Sequence, residues 1–105
     1  MSIQDVIKKQ VVGNRVVLYM KGSPDSPQCG FSANAVQILR ACGASELFTV
    51  NVLENPEIRQ GIKEYANWPT IPQLYVNGEF IGGSDIMTEM FKSGELKTLI
   101  EKTTA

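Results

Sequence analysis

The chain is 105 residues long, carries a formal net charge of −1 and contains no histidine. That length suits one small domain with enough core to fold without disulfide staples or a structural metal. The balanced charge offers no global attraction to nucleic acid or an anionic membrane, and the lack of histidine excludes Cys-His and Ser-His-Asp catalysis and every His-ligated zinc site.

Ile3, Val6, Ile7 and Val11 recur at helical spacing behind Ser2, an N-cap residue, and predict a helix over 3–12 that ends at Gly13-Asn14. Arg15 to Met20 (RVVLYM) is β-branched, aromatic and nearly continuous in apolar character, as expected of a buried central strand. Residues 21–28 contain Pro24 and Pro27 and are expected to form a loop. Gly30 to Cys42 reads as a helix closed by Gly43 in the C′ position, and Phe48 to Val52 as a second strand.

Asn55-Pro56 pairs a cap with proline at the first helical position and opens a helix through about Ala66. Trp68-Pro69-Thr70-Ile71-Pro72 is irregular. Residues 73–76 and 80–81 flank Asn77-Gly78, a two-residue hairpin signal. Gly82-Gly83-Ser84-Asp85 leads into a helix through about Lys92, Gly94 breaks it, and 95–102 form a last short helix.

The order α-β-α-β-α-β-β-α-α predicts a single α/β domain over 1–105, with no linker and no repeat: a four-stranded mixed sheet flanked on both faces by helices. Strands separated by helices are expected to pair in parallel through right-handed crossovers, and the hairpin to add an antiparallel edge. Such sheets place their sites beyond the strand ends, where loops meet helix N-termini. Cys29 falls at such a junction.

Two cysteines are too few for a disulfide-rich secreted scaffold. No apolar run is long enough to cross a bilayer, and the N-terminal residues carry no secretory h-region. A reducing, cytoplasmic setting is therefore expected. Near the free N–H groups of the helix and near Lys21, the Cys29 sulfur would favour its thiolate; the competing reading is a small buried hydrophobe. Cys42 lies thirteen residues on in the same helix, about 20 Å away at 1.5 Å rise per residue. A bridge needs Cα atoms within about 7 Å, so Cys42 reads as structural. Three residues after Cys29 stands Ser32 rather than a resolving cysteine. Any mixed disulfide at Cys29 would have to be resolved by an external thiol, of which glutathione is the abundant cellular one.

The run Cys29-Gly30-Phe31-Ser32, with Lys21-Gly22-Ser23-Pro24, Asn67-Trp68-Pro69-Thr70-Ile71-Pro72 and Gly82-Gly83-Ser84-Asp85 in the expected order, resembles the monothiol (CGFS-type) glutaredoxins of the thioredoxin fold over essentially the whole chain. The resemblance implies a thioredoxin-like α/β fold and a cis bond before Pro72. It implies that the Ile71 backbone pairs with the cysteinyl part of glutathione, and that Lys21 and Arg59 bind its glycine carboxylate. Lys63 follows Arg59 by four residues and would share its helix face; otherwise it belongs to a solvated face. Gly83 and Ser84 would offer backbone N–H groups to the γ-glutamyl carboxylate. Asp85 would pair with the γ-glutamyl ammonium, or else simply complement the helix dipole. Thr70 either contacts the ligand backbone or holds the loop, and Trp68 is expected to pack the loop rather than touch ligand. Many relatives carry cysteine where this chain has Ser84, so one intramolecular disulfide open to them is closed here.

The family is associated with 2Fe–2S clusters, which take four thiolates. One chain offers Cys29; two chains and two glutathione thiols complete the set, which implies a cluster-bridged homodimer that carries or transfers its cluster, with BolA-type partners and apo iron–sulfur recipients. The alternative is a weak glutathione-dependent oxidoreductase that deglutathionylates proteins through Cys29 alone. The resemblance also implies that the long loop between Lys21 and Cys29 displaces the lysine and impairs such turnover.

Overall fold

The computed structural model describes residues 2–104. Among them run α1 (Ile3–Val12), β1 (Val16–Met20), β2 (Gly22–Ser23), β3 (Ser26–Pro27), α2 (Gly30–Ala41), β4 (Leu47–Asn51), α3 (Pro56–Ala66), β5 (Gln73–Val76), β6 (Glu79–Gly82), α4 (Ser84–Ser93) and α5 (Glu95–Thr104). No helix among the described residues is long and apolar enough to cross a membrane.

Helix boundaries follow the capping residues. Ser2 accepts from the Asp5 N–H while the Asp5 carboxylate accepts from the Ser2 N–H, a reciprocal capping box at the start of α1. Asn55 Oδ1 accepts from the N–H groups of Glu57 and Ile58, and Pro56 fills the first position of α3. At the end of α2, Ala44 N–H donates to Leu39 O and Gly43 N–H to Arg40 O, with Gly43 at φ 80°. These two bonds satisfy carbonyls that a helix end leaves open.

The main sheet has the strand order β4-β1-β5-β6. Val16, Leu18 and Met20 of β1 face one side and pack under α2, α4 and α5, joined by Leu39, Met87, Leu96 and Ile100. Val17 and Tyr19 face the other side with Ile7, Val11, Ile58, Ile62 and Tyr75. Every β1 side chain is fully buried, as a central strand covered on both faces requires. At about 1.5–3 kcal/mol for each large aliphatic side chain removed from water, this double core fixes β1 as the platform from which the site is built.

Two expectations need correction. β1 and β4 are parallel, but β5 runs antiparallel to β1, with Tyr19 opposite Gln73 and Val16 opposite Val76. A helix between two strands gives parallel pairing only when it returns the chain to the far end of the sheet. Here α3 ends at Asn67, left-handed at φ 52°, and residues 67–72 turn into the sheet at the end where β1 finishes. The segment expected to be a plain loop also contains a small ladder: Gly22 pairs with Pro27 and Ser23 with Ser26. The Asn77-Gly78 turn is as expected, with φ of 53° and 82°, and β5 and β6 pair antiparallel around a bulge.

Candidate functional site

The end of β1, the start of α2, segment 67–72 and the start of α4 converge because β5 enters the sheet where β1 leaves it. Between them lies a groove of about 430 Å³, within the roughly 300–1,000 Å³ range of small-ligand clefts. Lys21, Cys29, Arg59, Lys63, Thr70, Ile71, Pro72, Gly83, Ser84 and Asp85, all expected site residues, line it together.

Cys29 is the N-cap of α2, in extended conformation, and its side chain is partly exposed. The backbone N–H of Ser32 does most to hold its thiol below the ordinary value of 9.0; burial, next in size, opposes it, and the Phe31 N–H, the Lys21 charge and the Ser32 hydroxyl add to the lowering. This is the electrostatics of an activated thiolate at a helix N-terminus. Cys42 caps the other end of α2, is buried, and has its thiol pushed up by burial. It takes no part in the groove.

Ser32 does more than fill the place of a second cysteine. It is fully buried, and its Oγ accepts from the Lys21 N–H at 3.1 Å, tying the end of β1 to the first turn of α2. Residues 22–27 fold outward as the β2–β3 hairpin, and the Gln28 N–H returns to Lys21 O at 2.9 Å. Asn51 Oδ1 accepts from the Gly22 N–H at 3.0 Å. The chain between Lys21 and Cys29 is long, yet its ends are pinned together and Lys21 lines the groove.

Arg59 and Lys63, four residues apart on α3, add two cations to the same wall. The same groove is lined by the start of α4, which begins at Gly83 with no side-chain cap and carries Asp85 in its first turn. A Cβ at position 83 would stand 3.3 Å from both Pro72 O and Trp68 Nε1, so glycine allows α4 to approach the segment closely. The groove is thus lined both by three cations, Lys21, Arg59 and Lys63, and by the uncapped N-terminus of α4 with the Asp85 carboxylate.

The Ile71–Pro72 peptide is cis, as expected. Among the described residues, neither the N–H nor the C=O of Ile71 has a hydrogen-bond partner. Trp68 packs against Phe80 in a tilted ring contact with centroids 5.7 Å apart, and it also lines the groove, so it packs the loop and faces the cleft at once.

Phe31, Pro69, Ile86 and Gln73 were not among the expected site residues. The first three line the groove, and Phe31 is 64% exposed. Gln73 is fully buried behind it: Nε2 donates to Trp68 O at 3.1 Å and Thr70 O at 3.2 Å, and Oε1 accepts from the Tyr75 hydroxyl at 3.0 Å. Its one sequence signal is a polar side chain at the start of an otherwise apolar strand. No cluster of three or more potential metal ligands occurs among the described residues.

The glutaredoxin family model matches residues 16–81. Glutaredoxin 4 of Buchnera aphidicola is 56% identical over 102 residues, covering 97% of this chain and 94% of its own. A monothiol glutaredoxin of Synechocystis is 58% identical over 95 residues, covering 90% and 88%. The solution structure of reduced poplar apo GrxS14 superposes with a TM-score of 0.83 at 52% identity, covering 97% and 93%.

Proposed function

The chain belongs to the monothiol glutaredoxins, and on that premise we propose that it binds glutathione in the groove and carries a 2Fe–2S cluster held jointly with a second copy of itself. The observation behind this reading is the meeting of one activated, partly exposed thiol with a groove lined by three cations and a helix N-terminus, and no second thiol in reach.

Glutathione would lie along segment 70–72, its glycine carboxylate among Lys21, Arg59 and Lys63. Its cysteinyl backbone would pair with Ile71 as a short added strand. Its γ-glutamyl carboxylate would meet the open N–H groups of α4, with the ammonium on Asp85. That orientation brings the glutathione sulfur beside Cys29. A cluster needing four thiolates then takes Cys29 and one glutathione sulfur from each of two chains. Two of the four ligands are exchangeable small molecules, which suits a cargo meant to be passed to an apo iron–sulfur protein or shared with a BolA-type partner. A reducing compartment such as the cytoplasm is the setting this chemistry requires.

The lowered Cys29 thiol supports a second reading. The thiolate would attack the glutathione sulfur of a glutathionylated protein, forming a Cys29–glutathione disulfide and releasing the protein thiolate. A second glutathione thiolate would then attack the bound glutathione sulfur, giving oxidised glutathione and regenerating Cys29.

Anaerobic reconstitution with iron, sulfide and glutathione tests the cluster reading, followed by visible absorbance and mass. A chromophore in a dimer that requires glutathione and is absent from Cys29→Ser is expected; identical behaviour of the two proteins overturns it. Fast steady deglutathionylation without a chromophore would favour the second reading.

A further inference from the structure

We infer that Gln73, outside the groove, is a positioning residue that aims the Ile71 N–H at a bound peptide-like ligand; the inference rests on the glutathione reading of the groove. Its amide orientation is dictated by chemistry. The oxygens of Trp68 and Thr70 can only accept, so the amide nitrogen must face them, and the amide oxygen is left to accept from the Tyr75 hydroxyl. Tyr75 is in turn held by edge contact with Tyr19 at 5.7 Å and by Phe80 at 5.4 Å, so the amide is anchored in the core of the sheet.

The consequence runs through one peptide plane. The only cis bond among the described residues is Ile71–Pro72, so the Thr70–Ile71 peptide is trans and carries its C=O and N–H on opposite edges. With Thr70 O drawn inward to Gln73 Nε2, the Ile71 N–H is turned to the other side, and Ile71 lines the groove. Ile71 also has no backbone partner within the described protein. The same amide nitrogen holds Trp68 O and so fixes the segment from both ends of Pro69-Thr70. Without that donor the Thr70–Ile71 plane is free to rotate, and a ligand must supply the ordering itself.

Gln73→Met keeps the length and apolar volume and removes the donor. In wild type, titration with glutathione is expected to shift the Ile71 amide resonance as it gains a ligand acceptor. In Gln73→Met the Ile71 shift is expected to vanish and affinity to fall about tenfold, the scale of one lost hydrogen bond. Ile100→Val, a core change remote from the groove, controls for lost stability and should bind as wild type. Should Gln73→Met not fold, Tyr75→Phe frees the amide oxygen while keeping the ring, with about a threefold loss expected. A folded variant that binds glutathione like wild type with the Ile71 shift intact overturns the positioning role while leaving the glutathione reading standing. Failure of wild type to bind glutathione overturns both.

Discussion

Cys29 and Cys42 cap opposite ends of one helix and sit in opposite electrostatic settings. The N-terminal amides of α2, led by that of Ser32, favour a negative sulfur, whereas burial at the C-terminal end favours a neutral one. The signs give a direct expectation. A lowered folded-state value means that Cys29 is deprotonated at a lower pH in the native chain than in the unfolded one. Iodoacetamide alkylation of Cys29, followed by peptide mass spectrometry, should therefore turn on at lower pH in buffer than in urea. Lys21→Gln should move the native profile upward, because Lys21 contributes to the lowering. Coincident native and unfolded profiles would contradict the activated thiol. Cys42 should stay unmodified until the protein unfolds. Those residues were legible in the sequence because their spacing alone separates a helix start from a helix end. Gln73 was not: hydrophobic pattern reports which strand positions are buried, but a buried amide is explained only by partners that the fold brings to it, here the carbonyls of Trp68 and Thr70.

The elements show how a long loop can still deliver two residues to one place. Gly22 sits at φ 91°, and a Cβ there would meet Ser26 O at 2.5 Å and Gln28 N at 2.7 Å. Both contacts are backbone, so neither can swing aside. Gly43 also lies at positive φ, 80°, but a Cβ there meets nothing within 4 Å. Gly43→Ala should therefore lose only the left-handed penalty, about 1 kcal/mol. Gly22→Ala adds a backbone clash and should lose about 2–3 kcal/mol by thermal or urea denaturation. It should also shift the Cys29 alkylation profile toward that of the unfolded chain, since Lys21 and Cys29 are joined through this hairpin. Equal losses in the two variants would mean that the β2–β3 ladder bears no strain at Gly22. Element positions were readable from caps, prolines and periodicity. The direction of β5 was not, because it depends on the path of α3 and segment 67–72, which no local pattern encodes; that reversal places Ile71 and Pro72 beside Cys29.

At the scale of the whole molecule, the arithmetic of thiols sets how the proposed assembly must respond to its surroundings. Each chain brings one accessible thiol among the described residues, and Cys42 is buried at the far end of α2. A cluster with four thiolates then binds two chains and two glutathione molecules, and mass action makes its formation depend on the square of each free concentration. At fixed protein, iron and sulfide, a tenfold fall in free glutathione should lower the apparent assembly constant by about a hundredfold, or about 2.7 kcal/mol. The measurement is anaerobic gel filtration across a glutathione series, with holo-dimer read by visible absorbance and its logarithm plotted against that of free glutathione. A slope of two is expected. A slope of zero would remove glutathione from the ligand set, and a slope of one would require the chain to furnish another ligand. Repeating the series with Cys42→Ala tests the chain's own share: a slope and a yield unchanged from wild type leave Cys29 as the chain's one contribution to the proposed cluster.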